Sequence, residues 1–210
     1  MWPGLGLEET MATQIAPDTN GRQDVSRRLF NLLVIGGVCG LSWAAGFRGW
    51  MVQLAGSAST FTWGTFIWVL LQGTIIGTLL GWADYRRRTG TTRGRRWLIW
   101  SPLLFATAVL GQLEVFLSEG FGGGALAVAI LSIGGGYALG GRGHRWIRIV
   151  VGVLVALFTI VVGGTIGADM NPELDLSTPR GAWVAVLFLS FMGVFTLACA
   201  IPERIGRPLS

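Results

Sequence analysis

The chain has 210 residues, of which 51% are hydrophobic and only 13% are charged. A soluble domain normally carries about 25% charged residues, so this composition excludes an ordinary soluble enzyme, a disordered chain and a disulfide-rich secreted scaffold. All 16 basic residues are arginine, and the lack of lysine excludes Schiff-base and Walker-lysine chemistry. We attribute the formal charge of +5 to basic cytoplasmic loops of a membrane protein, not to a nucleic-acid partner.

The polar segment 1–28 contains several prolines and glycines, which predicts a flexible cytoplasmic tail. Six continuous apolar segments follow, each near the roughly 20 residues that a helix needs to cross about 30 Å of hydrocarbon. They are Leu29–Phe47, Phe61–Trp82, Trp97–Leu117, Gly123–Leu139, Ile147–Ala168 and Gly181–Ile201. The predicted fold is therefore an all-α integral membrane bundle of six transmembrane helices over 29–202, with a short cytoplasmic tail over 203–210.

The arginines predict the orientation of these spans, because basic loops stay in the cytoplasm. Arg48 and Arg180 alone fall on the side opposite to all the other arginines, and with six spans this places both termini in the cytoplasm. Tryptophan favours the headgroup level of a bilayer and marks both ends of the spans. The inner ends carry Trp82, Trp97 and Trp146, and the outer ends carry Trp50, Trp63 and Trp183.

Small residues predict where helices meet. In span two, Gly73, Gly77 and Gly81 recur every four residues and share one helix face, which favours close approach of another helix from this chain or from another subunit. Span one offers Gly36 and Gly40. Span five carries a similar stripe of Gly152, Ala156, Thr159, Gly163 and Gly167. The run Gly134–Gly136 in span four predicts a kink or a thin place in that helix.

Three polar residues form a candidate intramembrane site. Gln72 lies near the middle of span two, where its amide needs a hydrogen-bond partner, as packing contact or as substrate ligand. Glu114 lies near the outer headgroups if span three begins at Trp97, and deeper if it begins at Ser101-Pro102. Arg48 is the expected partner of Glu114, because a buried carboxylate requires a compensating charge.

No set of residues predicts catalysis, a metal site or a cofactor. His144 is the only histidine and lies in a basic loop, while Cys39 and Cys199 lie in apolar runs where thiols stay protonated. The chain lacks the serine and histidine arrangement of intramembrane rhomboid proteases, and it has no HExxH or GxSxG motif. We therefore predict a non-enzymatic protein.

Residues 41–50 (LSWAAGFRGW), 79–83 (LLGWA) and 97–104 (WLIWSPLL) lie in the first three spans. With a basic start and an arginine loop between spans two and three, the pattern resembles uncharacterised multi-pass membrane proteins of GC-rich bacteria. The absence of lysine beside abundant Arg, Gly and Ala fits such a genome. The resemblance implies a place in the bacterial cytoplasmic membrane and implies no activity.

Two hypotheses of function remain open on the sequence. The first is an accessory or structural membrane component; the alternative is a small-solute or ion permease that uses Arg48, Gln72 and Glu114. The predicted partners are the lipid bilayer, anionic lipid headgroups at the cytoplasmic arginines, and either a membrane-protein partner or a second copy of the chain.

Overall fold

The computed structural model describes residues 19–56, 59, 63–112 and 123–206, and every regular element within them is helical. Helix α1 comprises Thr19–Ala55. The next helical segment comprises Trp63–Thr65, a π-helical stretch Phe66–Leu71 and helix α2, Gln72–Thr89. Helix α3, Arg95–Trp100, continues as a 3₁₀-helix over Ser101–Gln112. The remaining elements are α4 (Gly123–Gly140), α5 (Arg145–Met170), a 3₁₀ turn (Pro172–Leu174) and α6 (Pro179–Glu203).

Four of the helical segments are long and apolar enough to cross a membrane. They are Gln23–Ala55, Phe66–Thr89, Arg145–Met170 and Pro179–Glu203, and they contain predicted spans one, two, five and six, apart from the start of span two. A shorter apolar helix covers Leu126–Gly140. Large apolar side chains cover the outer surface of these helices, most densely on α5. Such a surface is stable in hydrocarbon and not in water, so the predicted class, a helical membrane protein, is confirmed.

The first helix starts earlier than the sequence predicted. It begins at Thr19, so residues 19–28 are helical instead of belonging to an irregular tail. This stretch contains Arg22, Gln23, Arg27 and Arg28, which are good helix formers, and adding residues to an existing helix is easy once the helix is nucleated. The rest of the predicted N-terminal tail, and residues 207–210 of the C-terminal one, lie outside the described residues.

The third predicted span changes its helix type at the sequence Ser101-Pro102. Pro102 has no N–H to donate to the carbonyl of Leu98, and the Ser101 hydroxyl donates to that carbonyl instead, at 2.8 Å. Ser101 therefore satisfies the end of α3 and does not cap the start of a new helix, which was the alternative that the sequence left open. The outer part of this span, including Glu114, lies outside the described residues.

Helix α6 occupies the centre of the bundle and contacts α1 and α2 on one side and α4 and α5 on the other. Helices α4 and α6 run parallel, with Gly136 against Cys199 and Gly140 against Glu203. The glycine run Gly134–Gly136 lies within a continuous α-helix, and of the predicted kink or thin place the structure shows the thin place. Its small residues form a thin face that lets α6 approach.

An aromatic cluster joins α1 and α6 near the end of the bundle opposite the arginine loops. Its rings belong to Trp43, Phe47, Trp50, Phe105, Phe188, Phe191 and Phe195. The Trp43 Nε1–H donates to the Phe191 carbonyl at 2.8 Å, and the Trp50 Nε1–H donates to the Val184 carbonyl at 3.1 Å. Trp50 is only 5% exposed, so it is a core residue and not the headgroup marker that the sequence predicted.

The spacing of the aromatic residues in the sequence already indicates this cluster. Trp43, Phe47 and Trp50 are spaced four and three residues apart, and the phenylalanines of α6 are spaced three and four apart. Both spacings place large rings on one helix face. In a chain that is apolar all round, this spacing does not show whether the face meets protein or lipid.

We expect Trp50→Phe to lower the free energy of unfolding by about 1–2 kcal/mol, because it removes a buried hydrogen bond and part of a ring contact. Trp183→Phe is the matched control, since Trp183 is 57% exposed. Thermal unfolding in detergent measures both. Equal losses of stability in the two variants would show that Trp50 is not a packing residue.

Candidate functional site

The predicted glycine face of α2 lies against α1. A Cβ atom built on Gly77 would lie 2.7 Å from the Cα of Gly40, and one built on Gly40 would lie 2.9 Å from the Cα of Gly77. Gly73 likewise faces Gly40 and Ala44, and Gly81 faces Leu32 and Gly36. The two backbones are in contact, so this face packs within the chain and not against another subunit.

The glycine contact predicts opposite effects for two alanine substitutions. Gly77→Ala should destabilise the bundle by about 1–3 kcal/mol, because the backbone of α1 must move away from the new methyl group. Gly46→Ala, on the exposed side of α1 with nothing within 4 Å of a built Cβ, should leave stability unchanged or raise it by up to about 1 kcal/mol. Unfolding of both proteins in the same detergent provides the measurement. A loss of stability at Gly46 equal to that at Gly77 would contradict the close contact.

Gln72 makes the hydrogen bond between helices that its position requires. Its side-chain amide lies 2.9 Å from the Thr107 hydroxyl in the 3₁₀ segment. When the amide is oriented so that its oxygen accepts from Thr107, its nitrogen donates to the carbonyls of Leu104 at 3.1 Å and Trp68 at 3.3 Å. We adopt this orientation because it satisfies the whole amide. Gln72 thus links α2 to the 3₁₀ segment Ser101–Gln112.

A double-mutant cycle tests this tie. Gln72→Leu and Thr107→Val should each destabilise by about 0.6–2 kcal/mol, the usual worth of a hydrogen bond between membrane helices. The double variant should lose less than the sum, because the two side chains bond to each other. Additive losses of stability would mean that the contact between Gln72 and Thr107 contributes nothing to the free energy of unfolding.

Arg48 lies at the far end of α1 and donates to the Ser59 hydroxyl at 3.2 Å. The Arg48–Ser59 and Gln72–Thr107 hydrogen bonds lie in different parts of the bundle. Glu114 lies outside the described residues, so its pairing with Arg48 stays a prediction.

An apolar groove of about 320 Å³ lies between α1, α2 and α6. Its lining includes Ile35 and Cys39 of α1, and Val194 and Ala198 of α6, with the packed glycines between α1 and α2. Asp84 lies at one end and forms ion pairs with Arg87 at 2.7 Å and Arg88 at 2.8 Å. The groove thus combines an apolar length with a charged end.

A second apolar groove, of about 290 Å³, lies between α4, α5 and α6. Gly152, Ala156 and Thr159 line it, while Gly163 and Gly167 of the same predicted stripe contact Phe188 and Leu174. The small residues of α5 therefore form a helix contact at one end and a groove wall at the other.

The arginine-rich loops meet at one end of the bundle. Arg142 donates to the Ile205 carbonyl at 2.8 Å, and Arg204 donates to the Leu139 carbonyl at 3.4 Å. At the other end, Arg180 donates to Gln53 at 3.4 Å. His144 is exposed in the loop between α4 and α5. The bundle therefore has one strongly basic end.

No family model, curated protein or solved structure matches this chain. Within the described residues, no group of three or more His, Cys, Asp or Glu side chains could hold a metal ion. Any function must be argued from four features of the bundle: the glycine contact between α1 and α2, the Gln72 hydrogen bond, the two apolar grooves and the basic end.

Proposed function

We propose that this chain is a six-span protein of the bacterial cytoplasmic membrane, with both termini and the arginine-rich loops in the cytoplasm. The continuous helical stretch Arg95–Gln112 supports a third span, because its α and 3₁₀ parts together extend about 33 Å. Helix α4, with 18 residues, extends about 27 Å. Both lengths are close to the hydrocarbon thickness of about 30 Å.

The orientation has a direct test. In a variant that lacks Cys39 and Cys199, single cysteines at Thr91 and Ser177 should be labelled by an impermeant thiol reagent from opposite sides of the membrane, Ser177 from outside. Spheroplasts and inverted vesicles provide the two sides. Labelling of both positions from the same side would contradict the proposed topology.

We propose further that the protein is a non-enzymatic accessory component that holds a transmembrane helix of a partner protein. The observation that carries this proposal is the apolar groove between α1, α2 and α6. Its walls contain side chains exposed toward the lipid, among them Ile35 and Val194. Association in a membrane depends on close packing, which small residues such as Cys39 and Ala198 permit.

Photo-crosslinking in whole membranes tests the accessory role. A photoreactive residue at Ile35 or Val194 should give a discrete protein adduct, and the same residue at Leu157, on the exposed face of α5, should not. Ala198→Phe fills the groove and should abolish the adduct without changing the amount of protein in the membrane. Identical adducts at the groove and at Leu157, or an adduct unaffected by Ala198→Phe, would overturn the proposal.

A permease is the second candidate, and the Gln72–Thr107 pair favours it, because a hydrogen-bonded amide between helices can exchange its partner for a polar solute. A permease should be stabilised against heat by its solute, and Gln72→Leu should remove that stabilisation. An accessory component should show no solute dependence and should keep its partner in the Gln72→Leu variant.

A further inference from the structure

The basic end of the bundle is organised around a small apolar cluster. Ala83 of α2, Leu98 of α3 and Ile205, just beyond α6, are all almost completely buried and pack together. Three separate parts of the chain are therefore held in contact at this end. Their polar neighbours cannot move apart without breaking the cluster.

Three arginines surround this cluster. Arg86 lies three residues after Ala83 on α2, and Arg95 lies three residues before Leu98 on α3, so each shares a helix face with its buried neighbour. Arg142, in the loop after α4, donates to the carbonyl of Ile205. The three side chains thus belong to three segments that meet around this cluster.

Close contacts link the loops that carry these arginines. A Cβ atom built on Gly94, beside Arg95, would lie 3.0 Å from Arg86 Nη1. One built on Gly206 would lie 3.4 Å from Arg142 Nη2 and 2.9 Å from Thr92 in the loop before α3. Arg86 is also held by Trp82, whose ring centroid lies 4.2 Å from the guanidinium carbon.

Each of these arginines keeps a donor without a protein partner. Arg86 Nη1, Arg95 Nε and Arg142 Nη1 are shielded from solvent and make no hydrogen bond within the described residues. Leaving a shielded N–H without a partner is unfavourable, and more so for a charged group. All three are guanidinium nitrogens, which donate well to the oxygens of phosphates and carboxylates.

The nearby acidic charge does not balance these cations. Glu203 is buried at the end of α6 and interacts electrostatically with Arg95. Asp84 forms the ion pairs found in the described part of the chain, and its partners are Arg87 and Arg88. Arg95 is the arginine of this group that interacts with Glu203, so the group of three arginines carries an excess of positive charge.

We propose that Arg86, Arg95 and Arg142 form a binding site for a phosphate group, supplied either by an anionic phospholipid headgroup or by a free phosphate. Guanidinium groups from different segments can each donate to a separate oxygen of a tetrahedral anion. Trp97 and Trp146, near the arginines, are 84% and 78% exposed, as expected for rings at the headgroup level. The site rests on the proposed orientation only for its placement in the cytoplasmic leaflet.

Binding can be measured first on the unmodified full chain. In a neutral detergent, inorganic phosphate should raise the unfolding temperature above that in chloride at equal ionic strength if free phosphate is a ligand. In nanodiscs, phosphatidylglycerol should raise it above phosphatidylcholine, and native mass spectrometry should retain a bound phosphatidylglycerol, if the ligand is a headgroup. The absence of both effects would overturn the site.

Two charge-matched double variants test which arginines bind. Arg86→Gln with Arg95→Gln removes two of the shielded guanidinium groups, whereas Arg93→Gln with Arg145→Gln removes two exposed ones from the same loops. We expect the apparent affinity to fall roughly tenfold for each shielded guanidinium removed, in line with hydrogen bonds to charged groups. The control pair should keep the unmodified affinity within about twofold, since exposed charges contribute little in salt.

The outcomes separate this site from the proposed topology and function. Equal loss of binding in both double variants would show a diffuse attraction of anions to the basic surface and would overturn the site. If Thr91 is labelled from the outside while phosphate binding in detergent still depends on Arg86 and Arg95, the orientation is wrong and the site stands. If the Arg86 and Arg95 variant does not fold, the comparison of phosphate with chloride on the unmodified chain still decides whether phosphate binds.

Discussion

The contact between the glycine faces of α1 and α2 is the constraint on which the rest of the bundle depends. Lipid tails are as apolar as leucine, so helices in a bilayer gain little from burying leucine against leucine, and close packing must hold them together. Gly40 and Gly77 bring two backbones into contact and allow many weak attractions over a long surface. That contact also sets where the remaining side chains of both helices point.

One consequence is the position of the aromatic cluster. Gly36 and Gly40 pack against α2, and Trp43 and Trp50 lie further along the same face of α1 and reach α6. Their indole N–H groups find carbonyl acceptors on that helix, which is needed where water is scarce. Helix α6 is thus held by rings on one side and by the small residues of α4, such as Gly136, on the other. Its central position follows from these two kinds of surface.

The two ends of the bundle differ in chemistry. One end holds the aromatic cluster and, among the arginines that the structure describes, Arg48 and Arg180. The other end gathers loops and helix ends whose guanidinium groups satisfy backbone carbonyls, as Arg142 does for Ile205. An arginine that bonds a carbonyl keeps its full charge, so the local positive charge grows as the loops come together. This asymmetry is the physical basis for both the proposed orientation and the proposed phosphate site.

The sequence by itself determined the class of the protein and the position of most of its helices. Long apolar stretches have no stable alternative to helices in a membrane, because every backbone polar group needs a partner within its own segment. The spacing of Gly73, Gly77 and Gly81 also identified a packing face, since helical geometry fixes which residues share a side. The need of Gln72 for a partner followed from the cost of an unbonded amide.

The tertiary structure decided which surfaces meet. Sequence does not show whether an apolar face such as that of Trp50 touches protein or lipid, because both surroundings are apolar. The sequence predicts Trp50 at the headgroups, whereas its hydrogen bond to the Val184 carbonyl places it in the core. The helical start at Thr19 depends on the helix propensity of the polar residues that follow, and the change of helix type at Ser101 depends on the missing N–H of Pro102. The spacing of apolar residues predicts neither. Arg86, Arg95 and Arg142 gather at one end of the bundle because Ala83, Leu98 and Ile205 pack together there. Charges far apart in sequence come near one another only when packing brings their helices together.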